Sequence, residues 1–143
     1  MDQSMKVEEP GDTVLAFSND VDFAILIPET VKKAGERELR RKGISGPTLT
    51  LRLFSAALFL LLKNYLDDVT LVTIDNEYDG HSKDITRMLL KHIWKVKPDF
   101  PKERIEVRQV TRKSPAHKKG WETQRGIIKP NKRIKAREFL EVL

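Results

Sequence analysis

Apolar residues along the chain fall into runs of two kinds, alternating and continuous, separated by short polar breaks. TVLAFS at 13–18 and DFAILIP at 22–28 read as strands joined through Asn19 and Asp20, residue types suited to a tight turn, so a β-hairpin opens the fold. ETVKKAGERELRRKG at 29–43 admits two readings. One is a helix bounded by Pro28 and Gly43, interrupted by Gly35 and sparse in apolar positions (Val31, Ala34, Leu39); the other is a third strand near 36–42. LTLRLFSAALFLLLKNY at 49–65 is apolar nearly all round, which predicts a central helix packed on a sheet. VTLVTID at 69–75 follows as a buried strand. SKDITRMLLKHIWKV at 82–96 sets Ile85, Met88, Leu89, Ile93 and Val96 on one stripe and Lys83, Arg87, Lys91 and Lys95 mostly away from it, an amphipathic helix with Ser82 as its N-cap. Past the turn KPDFPKE, RIEVRQV at 104–110 alternates like a strand, and KAREFLEVL closes the chain as a short helix.

This order predicts an α/β domain with a mixed sheet, an antiparallel hairpin followed by alternating helices and strands. A length of 143 residues fits one domain, here 13–143, preceded by an acidic segment, 1–12, expected to be a loose tail. With no cysteine, disulfides and thiolate metal sites are excluded. The longest apolar run, 53–62, is bracketed by Arg52 and Lys63 and is too short to cross a bilayer, so a soluble, cytoplasmic protein without a membrane partner is expected.

Charge changes the picture. Against 21 Asp and Glu stand 27 Lys and Arg, and residues 112–137 hold ten bases and one acid. A second basic run, KKAGERELRRK, lies at 32–42. Such clustering favours a polyanionic partner, RNA or DNA, whose phosphates attract cations whatever the base sequence. A merely solvated basic face is the alternative.

Candidate chemistry concentrates in VTLVTIDNEYDGHSKDI at 69–85. Asp75 and Glu77 fall on the same side of an extended strand, and a turn at Asp79-Gly80 brings Asp79, His81 and Asp84 back toward its end. Hard oxygen ligands of this kind suit Mg or Mn. As plain structure, Asp79 shapes the turn, Asp84 favours a helix start and Glu77 is solvated. His92 reads as a packing residue, whereas SPAH at 114–117 has Ser114 as N-cap and Pro115 at the first helical position, aiming amides with Lys113, Lys118 and Lys119 at a phosphate. Trp121 beside it fits either a base or a core. The chain contains no GxxxxGK[ST], GxGxxG, GxSxG or HExxH.

Residues 13–110 resemble the ribonuclease H-like superfamily. A leucine-rich helix precedes a strand ending Thr73-Ile74-Asp75, Tyr78 stands at the family's aromatic position, and FSND at 17–20 resembles the segment that carries another catalytic Asp. The resemblance implies a nuclease that cleaves phosphodiester bonds with divalent ions held by three or four carboxylates. Asp75 would be one, and Asp20 or Asp22 a second. Arg52 occupies the place of the helical glutamate, and His117 is the nearest substitute for the last carboxylate. Contacts to nucleic acid are expected from Arg52, Arg112, Lys113, Lys118, Lys119, Trp121, Arg125, Lys129, Lys132 and Arg133. Two further readings stand: a catalytically silent module of the same fold that binds nucleic acid or protein, and an unrelated α/β domain with a structural acidic turn. RNA versus DNA, substrate structure and a homo-oligomeric state are left open.

Overall fold

A computed structural model describes residues 2–4, 6–18, 22–75, 78, 80–108 and 130–143. β2 (Thr13–Ser18) and β3 (Asp22–Ile27) form the expected hairpin, with Ser18 opposite Asp22. Both of its faces are buried: Leu15, Ile25 and Ile27 join the main core, while Val14, Ala16, Ala24 and Leu26 form a second cluster. Burial on both faces accounts for apolar runs that do not alternate.

The amino-terminal segment, expected to be a tail, is docked. β1 (Asp2–Ser4) pairs antiparallel with β2, and Val7 is only 3% exposed. Lys32, 4% exposed, donates from Nζ to the Glu9 carbonyl (2.8 Å) and the Thr13 hydroxyl (2.9 Å), so a buried ammonium ties this segment to helix and sheet. Burial lowers its pKa, against the raising influence of Glu29, Asp12, Glu8 and Glu9.

Residues 29–43 fold as a helix, α1 (Glu29–Arg41), and not as a third strand. Intrahelical pairs help it: Arg40 to Glu36 at 2.7 Å and Arg41 to Glu38 at 2.6 Å. Gly43, at φ 83°, ends it in a Schellman arrangement, with Ile44 N–H bonding the Leu39 carbonyl and Gly43 N–H that of Arg40, both at 3.0 Å. Gly35 has a tertiary purpose. A Cβ there would lie 2.7 Å from Phe139 Cε2, because α4 (Ala136–Val142) lays a fully buried ring against the α1 backbone.

α2 (Gly46–Leu62) begins three residues earlier than the pattern suggests, with Pro47 in its first turn, and buries almost every residue from Leu49 on. β4 (Val72–Asp75) is shorter than expected. α3 (Ser82–Val96) matches its predicted span, but His81 occupies the N-cap and Ser82 is the first helical residue. Ile85, Leu89 and Ile93 are buried, whereas Val96, expected on that stripe, is 62% exposed at the helix end. β5 (Ile105–Arg108) follows a single 3-10 turn and runs parallel to β4.

The result is a mixed α/β structure. Sheet order is β1-β2-β3-β6, with β6 (Lys132–Arg133) parallel to β3; β4 and β5 form a separate two-stranded sheet. One apolar cluster joins both sheets through α2, from Leu15 and Ile25 to Val72, Ile74 and Ile105. No helix among the described residues is long and apolar enough to cross a membrane.

Candidate nucleic-acid interface

Two parts of the structure bear on chemistry, the end of β4 and the outer face of α3. Asp75 closes β4, half-buried, with Arg108 as its Cα partner on β5. Alternation along the strands puts Thr73, Asp75, Glu106 and Arg108 on the face opposite Ile74 and Ile105. Thr73 Oγ1 donates to Glu106 Oε1 (2.8 Å), which also accepts from Arg108 Nε (2.9 Å). Nothing local in the sequence marks Glu106. Only the parallel pairing brings it beside Thr73.

The remaining carboxylate candidates do not assemble with Asp75 among the described residues. Asp84 sits in the first turn of α3, and both of its oxygens are engaged: Oδ2 with His81 Nδ1 at 3.2 Å, Oδ1 with Arg87 at 3.3 Å. It therefore serves the helix start. Asp22 opens β3 at the turn end of the hairpin. Asp20, Glu77, Asp79 and His117 lie outside the described residues, as do Arg112, Lys113, Lys118, Lys119, Trp121, Arg125 and Lys129. No group of three or more His, Asp or Glu residues is arranged to hold a metal ion among the described residues, so a donor set for Mg or Mn is not complete there.

The basic side is assembled. Lys83, Arg87, Lys91 and Lys95 recur every fourth residue and are all exposed, forming a ridge along α3 with about 6 Å of axial rise between neighbours. Among the described residues only Arg87 of these four has a carboxylate partner, Asp84. Lys97, just past the helix, differs: Asp67 holds it at 2.6 Å and raises its pKa through that hydrogen bond.

On one side of this ridge lies a groove of about 310 Å³ between α2, α3 and α4, where Arg52 faces Arg87, Lys91, His92 and Lys95. Among the described residues no Asp or Glu side chain lines it. His92 packs tilted against the Phe59 ring, with centroids 5.8 Å apart, and its pKa falls from 6.5 to about 4, first through burial, then through Lys95, Arg52 and Lys91. The groove thus gathers Arg52, Arg87, Lys91 and Lys95 around an imidazole whose protonation burial and these neighbours oppose. The packing reading of His92 is correct as far as Phe59 goes, yet the ring also borders the groove.

On the other side of the ridge a groove of about 450 Å³ runs between α3 and β5, floored by Leu90, Trp94, Ile105 and Val107. Of the two other bases expected to bind nucleic acid, Lys132 is held by Glu138 at 2.6 Å, anchoring β6 to α4, while Arg133 is exposed. The signal for α3 was present in the sequence, since bases at 83, 87, 91 and 95 are visible there. Their joint use with Arg52 depends on how α2 packs against α3.

Comparison with protein-family models, with curated proteins and with solved structures gives no match.

Proposed function

We propose that this protein binds nucleic acid through the outer face of α3. The observation that carries the reading is the ridge Lys83, Arg87, Lys91 and Lys95 joined by Arg52 across a groove lined by no Asp or Glu side chain among the described residues. Folding like charges together costs stability, and a bound polyanion offsets that cost. The ten bases among residues 112–137 would add to the same attraction. The test is Lys91→Glu/Lys95→Glu, two exposed positions whose reversal leaves the core untouched. Affinity for a labelled oligonucleotide should fall at least about tenfold, and the slope of log K against log salt should shrink by roughly two. Unchanged affinity and slope in the folded variant would overturn the reading.

Metal-assisted phosphodiester cleavage is the second reading, favoured by the place of Asp75 at the carboxyl end of a parallel strand, where α/β sheets commonly bind ligands. The order hairpin, helix, strand, helix, strand supports a ribonuclease H-like relationship. Against it stand α1 in the position of a third strand and the pairing of β4 with β5 alone among the described strands. Incubation with RNA, DNA, hybrid and branched substrates in Mg²⁺ or Mn²⁺ tests it. Cleavage supports a nuclease, and binding without cleavage supports the catalytically silent module.

A further inference from the structure

We infer that the groove between α3 and β5 is a base-stacking site for single-stranded nucleic acid, with Trp94 as its platform; this rests on the nucleic-acid reading of α3.

Trp94, the largest apolar side chain on α3, is 41% exposed, whereas Ile85, Leu89, Leu90 and Ile93 of the same helix are buried. Its ring is not loose. Nε1 donates to the Phe100 carbonyl at 2.8 Å, which fixes the indole where it lines the groove, so binding needs no rotamer search. Leu90 and Val107 extend the apolar floor beside it. Arg87 and Lys91 line this groove as well as the basic one behind the ridge, so a backbone lying along α3 has its bases directly over the apolar floor.

Charge complements the same occupant. The rim carries Lys83, Arg87 and Lys91, and Glu106, the single carboxylate bordering the groove among the described residues, is already taken by Thr73 and Arg108. From Ser82 to Trp94 the helix rises about 18 Å, room for a short stretch of strand and not for one isolated base. A duplex keeps its bases paired inside and would present only phosphates to the ridge. Unstacked bases can leave the backbone and lie on an aromatic face, the mode by which single strands are held without sequence preference. An acidic, apolar peptide adding a strand to β5 would suit the groove less well, since the ridge behind it would then have no partner.

Anisotropy titrations of the full chain test this with four probes of equal length: single-stranded RNA, single-stranded DNA, duplex DNA and an abasic single strand. Trp94→Ala should weaken binding of both base-bearing single strands roughly tenfold or more, leaving the duplex and abasic strand unchanged. Trp94→Phe, which retains a ring, should recover most of the loss. Base-bearing strands should also quench Trp94 emission in a Trp121→Phe protein, and abasic strands should not, a readout independent of how the alanine variant folds. Equal loss for all four probes, or no quenching, overturns the stacking site while the ridge reading stands. If Lys91→Glu/Lys95→Glu also leaves binding unchanged, the nucleic-acid reading itself fails. Binding of an acidic, apolar peptide that depends on Trp94, with no binding of any strand, would assign the groove to a protein partner.

Discussion

His92 carries the sharpest consequence at the scale of a single residue. It faces Lys91 and Lys95 from its own helix and Arg52 from α2, with Arg87 further along the groove, while Val142 at the end of α4 and Leu143 just past it complete the described lining. Burial and these cations hold its pKa at about 4, against 6.5 for the ordinary residue. Between those values the unfolded chain takes up a proton and the folded chain does not. Stability is therefore undiminished by this group at neutral pH and falls as pH drops from 6.5 toward 4. His92→Asn should flatten that part of the stability profile, which denaturant titrations at pH 7 and pH 4.5 would show. A polyanion in the groove reverses the balance by favouring the charged ring. Binding should then take up a proton and tighten as pH falls toward 4 in the parent but less so in His92→Asn, as measured by calorimetry in buffers of different ionisation enthalpy.

Among the elements, the packing of α1 on α4 depends on a missing side chain. Alanine is the better helix former by about 1 kcal/mol, so Gly35→Ala in an isolated helix would stabilise. In this fold the added Cβ meets the buried Phe139 ring at 2.7 Å and Leu143 Cδ1 at 3.0 Å, and overpacking of that kind costs about 1–3 kcal/mol. The expected net outcome is a lower melting temperature for Gly35→Ala, with recovery when Phe139→Leu is added; a melting temperature at or above the parent's would mean that the ring moves aside at little cost. α3 shows the opposite economy. Its inward face, Ile85, Leu89 and Ile93, is spent on the core, and its outward face is left to the four bases.

At the scale of the whole molecule, the basic ridge and the strand-end carboxylate Asp75 belong to different elements. The basic ridge lies on α3, while Asp75 lies at the end of β4 beside Glu106 and Arg108 on the strand faces. Binding and any cleavage should therefore respond to different substitutions. Asp75→Asn keeps the size and removes the charge. It should leave oligonucleotide affinity within about twofold and, if the protein cleaves, abolish metal-dependent cleavage on the same preparation. Loss of affinity equal to that of Lys91→Glu/Lys95→Glu would mean that the two regions form one site. A variant that melts earlier yet cuts at the parental rate would assign Asp75 to the turn, at a cost of roughly 1 kcal/mol in hydrogen bonding.

How much of this was legible without coordinates follows from the range of the forces involved. Period and composition by themselves determined the hairpin of β2 and β3, the span of α3, the central α2 and the strand at Ile105–Arg108, because each pattern is complete within one element. They also marked the four bases of α3 as outward-facing. Tertiary structure alone decided that 29–41 is a helix. Gly35 reads as a breaker until Phe139, from the far end of the chain, is seen to need the space. It alone docked the first residues through β1, Val7 and the buried Lys32, set β6 beside β3, and split the strands into two sheets. Only the packing of α2 and β5 on either side of α3 made the ridge a divide between a basic groove and an apolar one, since each groove is walled by residues that no local pattern brings together.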